Sequence, residues 1–166
     1  MTAANTEGIA TAMTKVASIA HSVGAEFENV AAFLAQMIET TQEAPETLGT
    51  ALKTVFARFA EVKKLYSEGQ ILGTDEEGEE INVNKIQEAL RTVGISMTDF
   101  LVGKEGLDQV IMRLAEKWNT LDTVTQRYIA TMAAGSRQQS RFISLLQDFG
   151  RTQELIAAAN NSEGAA

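Results

Sequence analysis

The segment PETLGTALKTVFARFAEVKKLY, residues 45–66, has the most regular spacing of apolar residues in the chain. Apolar side chains recur there at alternating steps of four and three residues, at Leu48, Leu52, Val55, Phe59, Val62 and Tyr66. Ala51 and Phe56 widen this stripe, which is typical of a helix that is buried on a broad face. Pro45 and Glu46 both favour the first turn of a helix. The segment therefore predicts a long, largely buried helix.

The same period predicts helices on both sides of this segment. They cover residues 7–23, 27–41, 86–93, 107–121, 123–134, 142–149 and 155–159. Gly24 is well placed to end the first helix, because glycine readily adopts the left-handed conformation found at helix C-termini. Gly49 weakens the helix of residues 45–66, and a glycine at that position suggests close packing against a neighbouring element.

Two pairs of polar residues fit the capping-box pattern, in which a side chain at the start of a helix accepts a backbone N–H three residues later. These pairs are Asn84 with Gln87, and Ser136 with Gln139. The sequence therefore predicts that one helix begins at each of these two places.

The apolar period changes between residues 70 and 83. Two short apolar runs flank an acidic turn that contains Gly78, a pattern that predicts a small β-hairpin. Residues 95–103 alternate in a similar way and predict a second short extended pair. The predicted fold class is mainly α: a multi-helix bundle of amphipathic helix pairs with one or two short β-hairpins in the middle.

The 166 residues have the size of a single domain. No linker rich in proline or serine divides the chain, so we expect one helical domain over residues 1–160. The small and polar residues 161–166 are predicted to form a disordered tail.

Composition excludes several classes of function. The absence of cysteine excludes disulfides, thiolate nucleophiles, iron–sulfur clusters and cysteine zinc sites, and the single histidine, His21, excludes a site built from several imidazoles. A net charge of −8 has the wrong sign for a sequence-independent grip on DNA, so we expect no stable nucleic-acid binding. No uncharged stretch approaches the roughly 20 apolar residues of a membrane span, and none is expected.

The acidic turn at residues 75–80 is a candidate calcium site. An EF-hand loop with Gly78 at its sixth position would need an oxygen ligand at its first, and Gly73 stands there. A solvated turn is therefore favoured over a weak cation site. Gly103-Lys104-Glu105-Gly106 has the spacing of a nucleic-acid clamp but lacks a basic surround, so an ordinary turn is favoured there too.

Four further side chains have two interpretations each. His21 and Trp118 lie on amphipathic helices, and we expect a surface histidine and a core tryptophan rather than ligands. Arg137 and Arg141 are one helical turn apart and would share a face, to meet either acids of this domain, which is favoured, or a partner's carboxylates. The sequence assigns no catalytic, cofactor-binding or metal-binding residues. We expect no cofactor and no enzymatic activity.

Three stretches together resemble the core region of tail tape measure proteins of long-tailed bacteriophages. They are APETLGTALKTVFARF at residues 44–59, DEEGEEINVNKIQEALRTVGISMTD at 75–99, and LAEKWNTLDTVTQRYIATMAAGSRQQSRFISLLQDF at 114–149. Their order and spacing agree with that family as well.

The resemblance implies a virion structural protein: a folded module of the tape measure protein that acts in tail assembly and length determination. The implied partners are the tail tube protein, tail assembly chaperones, tail tip proteins and further copies of the chain. The implied location is the virion tail, and the bacterial host cytoplasm during assembly. The alternative is a stand-alone helical protein–protein interaction module that binds a partner helix through its broad apolar faces.

Two features depart from that family. Its members are much longer, with a long helical ruler, so the chain is expected to be an excised domain or a prophage-derived fragment. Ala25-Glu26 stands where a capping serine often precedes the second helix, which leaves the cap of that helix unassigned.

Overall fold

The computed structural model describes the backbone of residues 6–164, and the side chains of these residues apart from 149–151, 154–155 and 162–164. This part of the chain forms nine helices and one two-stranded sheet. The elements are α1 (Thr6–Ser22), α2 (Phe27–Thr41), α3 (Pro45–Ser67), β1 (Leu72–Thr74), β2 (Glu80–Asn82), α4 (Val83–Thr92), α5 (Thr98–Leu101), α6 (Leu107–Trp118), α7 (Thr123–Ala134), α8 (Gln139–Gln147) and α9 (Phe149–Gly164). The predicted fold class is confirmed: the protein is mainly helical, with a single small hairpin in the middle.

Helix α3 is the central element, as its apolar stripe predicts. It packs against α1, α2, α4, α5, α7, α8 and both strands. Leu48, Leu52 and Phe56 on this helix are fully buried. The buried stripe ends at Leu65, whereas Tyr66 at the end of the predicted stripe is 41% exposed.

Gly49 is where α1 approaches α3 most closely. A Cβ atom at Gly49 would lie 3.0 Å from the Cα of Ala12, which is tight, and 2.6 Å from its carbonyl oxygen, a distance that real Cβ atoms essentially never show. The close packing predicted from this glycine is confirmed, and it is the backbone of α1 that occupies the space of the missing side chain.

The hairpin has the predicted position, with β1 antiparallel to β2 and Gly73 opposite Ile81. The prediction of a second extended pair at residues 95–103 is wrong, because residues 98–101 form the short helix α5. The Ser96 hydroxyl accepts the Thr98 N–H at 3.2 Å and begins this turn. Helical spacing then buries Met97, Phe100 and Leu101 together.

Both predicted capping boxes are wrong in detail. Asn82, not Asn84, caps α4 by accepting the Lys85 N–H at 3.0 Å. Helix α8 begins with Gln138 at its N-cap position, and Ser136 bonds to the hairpin instead. The two helices themselves are present.

The remaining helices agree with the predicted ranges, except that residues 119–122 separate α6 from α7. The Asp122 carboxylate caps α7 by accepting the Thr125 N–H at 2.7 Å. The predicted disordered tail stays a prediction: the α9 backbone extends to Gly164, and residues 165–166 lie outside the described part. The side chains of Phe149 and Leu155, predicted to pack in the last helices, also lie outside it. Within residues 6–164, no helix combines the length and apolar character of a membrane span.

We predict that replacing Gly49 with alanine destabilises the protein. Alanine favours a helix interior over glycine by about 1 kcal/mol, so an exposed site would gain stability. At Gly49 the added methyl group must push α1 away from α3, and overpacking of this kind costs about 1–3 kcal/mol. The free energy of unfolding in urea measures the difference, with Lys53→Ala on the exposed face of α3 as the control. A stabilised Gly49→Ala variant would contradict the close approach.

Candidate functional site

A buried arginine on α3 organises the region around the hairpin. Arg58 is only 4% exposed. Its Nη1 atom contacts the Asp75 carboxylate at 2.5 Å, and Nη2 donates to the Glu80 carbonyl at 3.2 Å. Nε and Nη2 also donate to the Met132 carbonyl, at 3.3 and 3.0 Å. One guanidinium thus joins α3, both sides of the hairpin turn and the end of α7.

Asp75 fixes the shape of the acidic turn. One oxygen of its carboxylate receives Arg58, and the other accepts the backbone N–H groups of Glu77 and Glu79, each at 2.9 Å. Burial by itself raises the pKa of the Asp75 carboxyl, but the bonds from Glu79, Arg58 and Glu77 outweigh burial and hold this pKa below its usual value. The Asp75 carboxylate that a cation would need therefore already accepts hydrogen bonds from three groups of the protein.

Glu79 connects the turn to the corner between α7 and α8. Its carboxylate accepts the Ser136 N–H at 3.2 and 3.3 Å and also the Ser136 hydroxyl. Gly135 lies over this contact with a φ of 80°, and a Cβ there would lie 2.5 Å from the Glu79 carboxylate. Arg137 forms an exposed ion pair with Glu77 at 3.3 Å. We call Arg58, Asp75, Glu79 and Ser136 together the hairpin lock.

No group of three or more histidine, aspartate or glutamate side chains is placed to hold a metal ion among the side chains that the structure describes. Within the hairpin lock, Arg58 donates to Asp75, and Ser136 donates to Glu79. This arrangement holds secondary-structure elements together.

The turn Gly103-Lys104-Glu105-Gly106 packs against the turn between α1 and α2. A side chain at Gly106 would collide with the carbonyl of Gly24, so the two glycines allow the backbones to touch. The Leu107 N–H donates to the Val23 carbonyl at 2.9 Å across this contact. The favoured interpretation of an ordinary turn is consistent with this packing role.

Asp108 supplies the cap that the start of α2 lacks. It is 1% exposed and accepts the Glu26 N–H at 3.1 Å and the Asn29 side-chain amide at 2.7 Å. The absence of a serine before α2 is therefore compensated by a carboxylate from α6, 82 residues away from Glu26 in sequence.

The four side chains with two interpretations each are also placed by the structure. Arg141 forms a bidentate pair with Glu43, with Nε at 2.9 Å and Nη2 at 2.8 Å from the carboxylate oxygens. Arg137 precedes α8 and pairs elsewhere, so the two arginines share no helix face, whereas their pairing with acids of this domain is confirmed. His21 is exposed and Trp118 is fully buried, as predicted.

Sequence reasoning missed Arg58 and Asp108, although a signal existed for Arg58. It lies three residues after Val55 and four before Val62, so it falls on the apolar stripe of α3. A charged residue on such a stripe must find a buried partner, because an unpaired buried charge is very costly. Asp108 gave no comparable signal, since acids are common in the first turn of a helix.

Residues 1–135 match the family model of phage-related minor tail proteins. The matched part ends at Gly135 and contains Arg58, Asp75 and Glu79, but not α8 or α9. No solved structure matches the chain.

We predict that Arg58→Leu lowers the free energy of unfolding by about 3–5 kcal/mol, because it leaves the buried Asp75 carboxylate without its cation. Urea unfolding measures this loss. The control is Arg91→Leu, which removes an exposed pair with Glu88 and should cost at most about 1 kcal/mol. The double variant Arg58→Leu with Asp75→Asn, which removes the unpaired charge and keeps an acceptor for the Glu77 and Glu79 N–H groups, should recover part of the loss. Equal effects of the two single arginine variants would refute the hairpin lock.

We also predict a loss of stability in acid. A carboxyl whose pKa is lower in the folded protein than in the unfolded chain, here Asp75, stabilises the fold above the unfolded value of about 3.9 and loses that effect as pH falls through its folded pKa. Asp75→Asn should therefore be less stable than the natural protein at neutral pH, and the gap should narrow below about pH 4. Urea unfolding across this range measures it, with Glu88→Gln as the exposed control. A gap that stays constant would count against the charged form of Asp75.

Proposed function

The chain belongs to the family of phage-related minor tail proteins, and from that premise we propose that it is a folded module of a tail tape measure protein. The family gives it a structural role in a phage tail. The narrower assignment is supported by the three stretches that resemble the tape measure core region, two of which lie wholly within the matched residues 1–135.

The packing of α3 supports a compact head or anchor rather than a length of ruler. A ruler sets distance by extended helix, which advances about 1.5 Å per residue. In the part of the chain that the structure describes, the longest helix has 23 residues, and most of the other elements pack against it. The hairpin lock joins α7 to α3 through Arg58. This contact stabilises a compact fold and not an extended helix. This is the observation on which the anchor proposal rests.

The proposed role requires protein partners. These are the tail tube protein, the tail assembly chaperones, the tail tip proteins and further copies of the chain, encountered in the host cytoplasm during assembly and then in the virion tail. We propose that the role involves no catalysis, no cofactor and no stable binding of nucleic acid, in keeping with the net charge of −8.

The alternative is a stand-alone helical interaction module. The feature that favours it is an apolar groove between α1 and α2, beside the exposed Phe27. The gene distinguishes the two: a reading frame that continues past codon 166 into a long helical segment, beside other tail genes, favours the tape measure protein.

We predict that an in-frame deletion of the codons for residues 6–164 in the phage or prophage that encodes the chain prevents the assembly of intact tails. Electron microscopy of induced lysates measures tail number and length. As a control, a deletion of equal size within a helical ruler segment of the same gene should give tails that are shorter in proportion. If the deletion of residues 6–164 also gave proportionally shorter tails, the segment would be part of the ruler and not an anchor.

A further inference from the structure

The outer edge of β1 is open. In an antiparallel pair, the backbone groups of alternate residues point towards the neighbouring strand and away from it. The Ile71 carbonyl accepts the Val83 N–H at 2.9 Å, so Ile71 faces β2. Leu72 and Thr74 therefore direct their N–H and C=O groups away from β2. Among the residues that the structure describes, none bonds to these outward groups.

The opposite edge of the hairpin is closed. The Glu80 carbonyl accepts Nη2 of Arg58 at 3.2 Å, and β2 runs directly into α4 after Asn82. Natural edge strands often carry a charge, a proline or a bulge that prevents pairing with another chain. β1 has none of these three features, and Leu72 on it is 59% exposed, so only its short length protects it. The sheet can therefore be extended on one side only.

A hollow of about 280 Å³ lies beside the open edge. It is lined by one residue of α1, four of α3, and three at the end of β1 and the start of the acidic turn: Ile19, Ala57, Ala60, Glu61, Lys64, Thr74, Asp75 and Glu76. No residue of β2 lines it, so it lies on the β1 side of the hairpin. The small side chains of Ala57 and Ala60 leave room there between α1 and β1. We call this hollow the β1 groove.

The charges of the β1 groove indicate what it can bind. Glu61 and Glu76 line it, and neither pairs with a basic side chain that the structure describes. Lys64 is the one basic residue among the lining residues. A second copy of β1 would bring the same carboxylates to the contact, and like charges on paired strands are destabilising. A segment with basic side chains complements the groove instead.

We propose that an extended segment of another protein, with apolar and basic side chains in alternation, binds in the β1 groove as a third strand. Backbone bonds to an open sheet edge give such segments their affinity, and alternate side chains give specificity. The apolar side chains would meet Ile19, Ala57 and Ala60, and the basic ones would meet Glu61 and Glu76.

The inference specifies how one protein partner would dock, and it rests on the proposed function for its place in a tail. The contact can be tested on the isolated chain. Its failure would therefore leave the tail-assembly experiment unaffected.

A titration of the purified, isotope-labelled chain with a short peptide that alternates valine and lysine tests the proposal by nuclear magnetic resonance. We expect the amide signals of Leu72 and Thr74 to shift, with a dissociation constant of about 1 mM or tighter, since the edge is short. A peptide with glutamate in place of lysine should bind about tenfold more weakly or worse, because the acids of the groove repel it. A valine–lysine peptide with methylated nitrogens along one edge should fail to bind, because it lacks the backbone donors.

Two variants test the same contacts from the side of the protein. Thr74→Pro removes an outward N–H, and proline is accepted at such an edge. It should raise the dissociation constant of the valine–lysine peptide about tenfold or more. Glu61→Gln combined with Glu76→Gln should raise it about threefold or more through the loss of two exposed ion pairs. The control is Glu88→Gln, an exposed residue of α4 outside the groove.

Circular dichroism and urea unfolding check that the variants stay folded. If Thr74→Pro does not fold, the methylated peptide tests the same backbone bonds on the natural chain. Three outcomes would overturn the proposal. The signals of Leu72 and Thr74 could stay unchanged at about 5 mM valine–lysine peptide. The methylated or the glutamate peptide could bind as well as the valine–lysine peptide. The same signals could shift with protein concentration in the absence of peptide, and the occupant would then be a second copy of the chain.

Discussion

The ion pair between Arg58 and Asp75 joins α3 to the hairpin, and the same guanidinium reaches the Met132 carbonyl at the end of α7. A buried pair of this kind adds little net stability, because both charges lose their hydration. Its importance lies in the cost of separation: moving α3 away from the hairpin would leave a charge buried without its partner, and moving α7 would remove the carbonyl that accepts from Nε and Nη2. The positions of these elements are therefore coupled, and the turn at Gly135 is held by hydrogen bonds from Ser136 to Glu79.

Several arginines form ion pairs within the chain. Arg58 and Arg141, like Arg113 with Glu105, are committed to carboxylates of the same chain. The acidic residues outnumber the basic ones, and the formal net charge is −8.

Much of the fold could be predicted from the sequence, because it depends on local periods. The stripe of α3 gave its buried face, and Gly49 gave the close contact with α1. Errors arose where two neighbouring residues fit the same local rule, as Asn82 and Asn84 do at the start of α4. Errors also arose where a residue bonds to a distant part of the chain. Ser136 was predicted to cap a helix, but it bonds to Glu79, which is 57 positions away.

The sequence by itself determined the helices other than α5, the hairpin and the exclusion of thiol chemistry and of sites built from several histidines, since these follow from spacing and composition. Only the tertiary structure decided which carboxylate meets which donor. The cap on α2 comes from Asp108 on α6, and the cation for Asp75 comes from α3. Among 22 acidic residues, pairing depends on distance and burial in the folded chain. Spacing along the sequence indicates which side chains are buried, as it does for Arg58, but it does not indicate which distant residue each of them meets.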